Sequence, residues 1–67
     1  MELRTGDKVK YTFPAPVNDE KRSITGYVDH IGESFIYIKC MDNSLMRISF
    51  KNFDFLELLT ANKNQNN

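Results

Sequence analysis

Sixty-seven residues make one domain, near the lower limit at which a hydrophobic core alone holds a chain folded. Nine Lys and Arg balance nine Asp and Glu, and neither sign forms a long block, which excludes a charged arm or tail for nucleic acid or a membrane surface. A single cysteine, Cys40, excludes an internal disulfide, no apolar run is long enough to span a bilayer, and MELRTGDKVKY lacks the uninterrupted apolar stretch of a signal peptide. A soluble, cytoplasmic protein is therefore expected, without membrane contact.

In chain order, Gly6 to Phe13 alternate, with Val9, Tyr11 and Phe13 on one face and Lys8, Lys10 and Thr12 on the other. That is the period of a half-buried first strand. From Pro14 to Arg22 two prolines, Asn18 and four consecutive charges from Asp19 break regular structure and predict an exposed, mobile loop. A second strand follows from Ser23 to about His30, with Ile24, Gly26 and Val28 inward and Gly26 placed for a sharp bend. FIYIKC is the third strand, with Ile36, Ile38 and Cys40 inward and Phe35, Tyr37 and Lys39 outward.

Core residues pair with core residues across a hairpin, so Val28 should face Ile36 or Ile38 across an odd-length loop of Ile31, Gly32 and Glu33, with Gly32 free to take a positive φ. Asp42, Asn43 and Ser44 form the next turn, and the fourth strand, Leu45 to Phe50, turns Met46, Ile48 and Phe50 to the core opposite Ile38 and its neighbours. Lys51, Asn52 and Phe53 read as one helical turn, and Phe55 to Leu58 as a fifth strand closing on the first. The competing reading of this stretch is a short helix capped by Asn52, because Phe53, Leu56 and Leu59 also sit at helical spacing. The division is a binding domain over residues 1–59 and a disordered polar tail over 60–67.

GDKVKY at the start, SITGYVDHIGESFIYIKC in the middle and LMRISFKNFDFLEL at the end give five short strands with a long first loop, two tight hairpins and a one-turn connection. Over about fifty residues this resembles the SH3-like and Sm-like small barrels. The final block also resembles the end of the YolD-like bacterial proteins, where a basic and apolar strand runs into a short acidic closing strand. The resemblance implies an all-β, five-stranded antiparallel SH3-like barrel that binds something: such barrels take proline-rich peptides, modified tails, RNA, DNA or other proteins. With no Trp the proline groove of the Src-type domains is not built here, and the loop residues of a Sm-type RNA site are not matched.

No catalytic constellation emerges. Cys40 and His30 are too few for a zinc site, no glycine-rich phosphate loop exists, and Ser23, Thr25, Ser34, Ser44 and Ser49 are turn or outer-face residues, so no enzyme activity, metal or cofactor is expected. The outer face is more telling. It should carry Lys8, Lys10, Tyr27, Phe35, Tyr37, Lys39 and Arg47, with Tyr27 opposite Tyr37, Asp29 opposite Phe35, and Lys39 opposite Arg47. Rings interleaved with cations suit a protein interface, and equally single-stranded nucleic acid. Acidic Asp29, Glu33, Asp42, Asp54 and Glu57, expected near that patch, would repel phosphate and favour a protein partner. The sequence reads as a stand-alone regulator, adaptor or inhibitor, compatible with a bacterial accessory protein or a phage inhibitor of a host factor. A core this small leaves only ~3 to 5 kcal/mol of net stability, so a homodimer that buries more surface is an expected outlet.

Overall fold

The computed structural model describes residues 2–14 and 22–62. Five antiparallel strands form one sheet: β1 (Lys8–Thr12), β2 (Ser23–Ile31), β3 (Phe35–Cys40), β4 (Leu45–Ser49) and β5 (Leu56–Thr60). Their order across the sheet is β4-β3-β2-β1-β5. β4 and β5 are its two edges and do not pair with each other, so the sheet is not closed into a barrel. β1 lies between β2 and β5 and offers no free edge. Most of the expected loop, residues 15–21, lies outside the described residues; at its base Phe13 N–H donates to the Arg22 carbonyl at 2.8 Å. No helix among the described residues is long and apolar enough to cross a membrane.

The period-2 pattern produces the expected core face. Val9 and Tyr11 of β1, Val28 of β2, Ile36 and Ile38 of β3, Ile48 of β4 and Leu56 of β5 are buried, and Leu3, Phe13, Ile24, Met46, Phe53 and Leu58 pack against them. Tyr11 and Phe13 meet edge to face, 5.3 Å between ring centroids. Cys40 is only half-buried. Phe50 is 39% exposed rather than in the core, because β4 stops at Ser49 and a 3-10 helix takes over from Phe50 to Phe55. Ser49, not Asn52, caps that helix: its hydroxyl accepts from Lys51 N–H at 3.1 Å, while Asn52 sits at a kink inside it. The strand reading of the last segment holds over the helical one, with Leu56 buried and Leu58 half-buried against β1 while Leu59 stays exposed.

Val28 faces Ile38, one of its two expected partners, and Ile36 faces Ile48. The outer-face pairs depart from expectation by two residues on both sides of β3: Tyr27 faces Lys39, Tyr37 faces Arg47 and Lys39 faces Leu45. Tyr27 is therefore not opposite Tyr37, and Lys39 is not opposite Arg47. A two-residue slip keeps every side chain on its proper face, so hydrophobic patterning does not oppose it. Beyond Val28 the β2–β3 register shifts, leaving Asp29 as a bulge residue without a partner, pairing His30 with Tyr37 and Ile31 with Ile36. Asp29 thus does not face Phe35. The turn is Gly32, Glu33 and Ser34; Gly32 keeps a negative φ, and the positive-φ positions among the described residues are Gly6 and Asn43.

Two backbone sites are tightly constrained. A Cβ on Gly26 would lie 2.4 Å from the Lys39 carbonyl oxygen and 2.8 Å from an Ile38 methyl, so glycine is there to let β2 and β3 approach rather than for a bend. Asp7, 2% exposed, is the one buried charged residue among those described. Its carboxylate accepts from Arg4 N–H at 2.8 Å and from Asn62 N–H at 2.7 Å, joining the turn before β1 to the segment after β5. Asn62 Nδ2 also donates to the Thr5 carbonyl at 3.1 Å. Order therefore extends through Asn62, past the expected start of the tail at Thr60; residues 63–67 lie outside the described residues.

Replacing Asp7 by Ala should leave two amide donors without their acceptor, at ~1 to 3 kcal/mol each, which is most of the stability of so small a domain. A urea midpoint within error of the parent would show that the carboxylate does not hold the ends together. Gly26→Ala should cost ~1 to 3 kcal/mol by overpacking against the Lys39 carbonyl, read in the same titration.

Candidate binding face

Alternation along each strand sets the outer face once the inner one is buried. Lys8 and Lys10 of β1, Tyr27 of β2, Phe35, Tyr37 and Lys39 of β3, and Arg47 of β4 all occupy positions that alternate with the core residues. The observed register arranges them in rows. Lys8 faces Tyr27, Tyr27 faces Lys39 and Lys39 faces Leu45, so one row reads Lys, Tyr, Lys, Leu across four strands. The next reads His30, Tyr37, Arg47 across β2, β3 and β4. Lys10 stands apart, between Thr25 and Glu57.

Two rings of the face are already covered. The His30 and Tyr37 rings stack at 4.1 Å between centroids and 10° between planes, and Asp29 Oδ2 lies 2.8 Å from His30 Nδ1, which fixes the imidazole edge-on to the bulge. The Arg47 guanidinium sits 4.5 Å above the Phe35 ring, a cation–π contact. Tyr27, 45% exposed, makes no ring contact among the described residues and is the open aromatic surface of the group. His30 joins this face only because the bulge at Asp29 returns it opposite Tyr37; its place beside a turn gave no sequence signal of that stack.

The carboxylates are mostly spoken for or peripheral. Asp29 is hydrogen-bonded to His30, and among the described residues no carboxylate is in ion-pair contact with Lys8, Lys10, Lys39 or Arg47. Glu33 is in the β2–β3 turn, Asp54 in the 3-10 helix, and Glu57 on the outer side of β5 beside Lys10. Asp42 closes the β3–β4 turn: its Oδ1 accepts from the Ser44 hydroxyl at 2.6 Å and from Ser44 N–H at 3.0 Å, with Asn43 in the left-handed region at φ 71°. Of the acids expected near the aromatic patch, Asp29 meets it through His30, Asp42 lines the same groove as Arg47 and Glu57 is the cross-strand partner of Lys10.

At the β3–β4 end the face passes into an open groove lined by Ile24, Cys40, Met41, Leu45, Met46 and Arg47. Met41 and Leu45 are 59% and 53% exposed and add apolar surface to a rim that also holds Thr25, Asp42 and Ser44. Among the described residues no three His, Cys, Asp or Glu side chains cluster as metal ligands would.

The turn that bounds the groove has its own titration signature. The Ser44 hydroxyl first, and then its backbone N–H, hold the Asp42 carboxyl below the usual carboxylate range. A depressed carboxyl favours the folded turn above the unfolded pKa, and that contribution is lost as pH falls through the folded value. Ser44→Ala should raise the Asp42 pKa, followed by side-chain carboxyl NMR shifts against pH; an unmoved titration would mean that the hydroxyl contributes nothing. Compared with known proteins, the chain matches no family model, no curated relative and no solved structure.

Proposed function

We propose that the chain is a non-enzymatic binding protein that docks its outer sheet face on a larger protein and acts as a regulator, adaptor or inhibitor of it. The SH3-like small barrel is the architecture that this reading draws on; the five-stranded antiparallel sheet and the 3-10 turn before β5 are consistent with it. The observation that carries the reading is the row Lys8, Tyr27, Lys39, Leu45, whose Leu45 shares an open groove with exposed Met41. An amphipathic ring flanked by cations, with an aliphatic end, is the composition of an interface core and its rim. Arg47 adds a guanidinium whose face rests on Phe35 while its N–H donors lie in the plane of the group, at the edge.

Nucleic acid is the second reading, favoured by the absence of carboxylate contacts to Lys8, Lys10, Lys39 and Arg47 among the described residues. Against it, His30 covers Tyr37 and Arg47 covers Phe35, which leaves Tyr27 as the one open ring of the three for stacking on a base. Exposed Leu45 and Met41 also have nothing to gain from phosphate.

The test is affinity capture from lysate of the source cell, with and without nuclease and through a salt gradient, by the parent chain and by Tyr27→Ala and Tyr37→Ala. The expected outcome is a stoichiometric protein that survives nuclease and moderate salt and whose retention drops about tenfold or more in Tyr27→Ala. Equal capture by both variants and the parent would remove the outer face from the interaction. Material lost on nuclease treatment, with a steep salt slope shared among the four cations, would move the assignment to nucleic acid.

A further inference from the structure

β4 pairs only with β3, and β5 only with β1, so each has one side whose backbone N–H and C=O groups face no strand of the same sheet. Residues of both edge strands line open grooves: Leu45, Met46 and Arg47 line one that reaches across to Ile24 and Thr25 of β2, and Leu56, Glu57 and Leu58 line one shared with Phe53 and Asp54 of the 3-10 helix. Neither LMRIS nor LELLT holds a proline or a lysine, the residues that usually blunt an edge. Leu45 and Leu59 are 53% and 42% exposed, and neither Arg47 nor Glu57 is in an ion pair with a described residue.

We infer that β4 of one copy adds antiparallel to β5 of a second copy, in the register that sets Arg47 against Glu57. In that register Leu45 meets Leu59 beside the charge pair on the outer face. On the core face Met46 meets Leu58 and Ile48 meets Leu56. Arg47 and Leu45 thus each meet a residue of matching character, and the half-buried Met46 and Leu58 cover each other. Like edges do not match in this way: β4 centred on a second β4 sets Arg47 against Arg47, and β5 centred on a second β5 sets Glu57 against Leu59. The register shift of β5 against β1 falls between its pairings at Leu58 and Thr60, past the charged position, and leaves Leu59 without a partner on β1.

Because the two edges differ, each copy offers β4 to one neighbour and β5 to another, and the assembly grows head to tail rather than stopping at a two-fold dimer. The homodimer expected from the small core gives way to this arrangement. The inference rests on the sheet edges alone and stands whether or not the outer face docks on another protein.

Sedimentation equilibrium of the purified chain, with no partner present, reads it directly. The mass should rise with concentration through the high micromolar range. Arg47→Glu and Glu57→Arg should each stay monomeric with unchanged circular dichroism, since each sets like charges against each other. An equimolar mixture of the two variants should recover the rise, because each altered strand then meets its complement. A monomer mass for the parent at every concentration, variants that assemble as the parent does, or a mixture that stays monomeric would each overturn the pairing.

Discussion

A carboxylate taken out of water at the junction of the chain's two ends is the constraint on which the sheet depends. Asp7 is 2% exposed, and its oxygens accept from Arg4 and Asn62 backbone N–H groups fifty-eight positions apart in sequence. A buried carboxylate is costly unless hydrogen-bonded, so the site forms only when both segments are in place. The backbone of the same residue is tied to β2: the Asp7 carbonyl accepts from Val28 N–H at 2.9 Å, and Gly6 N–H donates to the Val28 carbonyl at 2.8 Å. Gly6 has φ 91°, and a Cβ there would lie 2.2 Å from Asn62 Nδ2. Gly6 and Asp7 together seat the end of β5 against β1. Since β1 lies between β2 and β5 and β5 holds to the sheet only through β1, this seat keeps Leu56 and Leu58 over the core.

The faces of the strands and which strands pair were legible in the sequence, and the register of the outer-face pairs was not. Alternation assigns Val9, Tyr11, Val28, Ile36, Ile38 and Ile48 to one side with no further information, and all six are buried. It is silent on a slip of two residues, which preserves that assignment while changing every cross-strand neighbour. Tyr27 accordingly meets Lys39 rather than Tyr37, and the opposition of Lys39 to Arg47 dissolves into Lys39 beside Leu45 and Arg47 beside Tyr37. The bulge at Asp29 had no sequence signature either, since neither Asp29 nor His30 has a special backbone requirement. Asp7 was hidden for a different reason. A charged residue next to a glycine at the start of a strand reads as an exposed turn, and its burial depends on Asn62, which sits in a segment with no apolar anchor. The membership of the candidate face could be read from composition and parity; its rows and its two covered rings required the register.

That register changes what the face is able to do. Like charges across strands would have made a repulsive surface in need of a counter-ion; the observed neighbours are already compatible, with Arg47 on Phe35 and His30 between Tyr37 and Asp29. A surface that is settled by itself needs little rearrangement on binding, so less of the interaction energy is spent ordering side chains. It also concentrates the open chemistry at Tyr27 and its two lysine neighbours, in the middle of the sheet, away from both edges.

This separation lets the centre of the sheet and its edges serve different partners. Strands lie about 4.8 Å apart, so Tyr27 on β2 is about 10 Å from Arg47's strand and about as far from β5. Adding a strand at an edge lengthens the sheet in its own plane and leaves the outer face open. A neighbour's β5 laid against β4 would continue the row Lys8, Tyr27, Lys39, Leu45 into Leu59 of the next copy, repeating the same pattern at a fixed spacing. Leu45 and Arg47 are common to both surfaces, and in a guanidinium the two demands are compatible: the ring of Phe35 takes its face, and a carboxylate takes its edge. Affinity for a target that presents several matching sites would then grow with assembly through effective concentration, with no new contact at any single site.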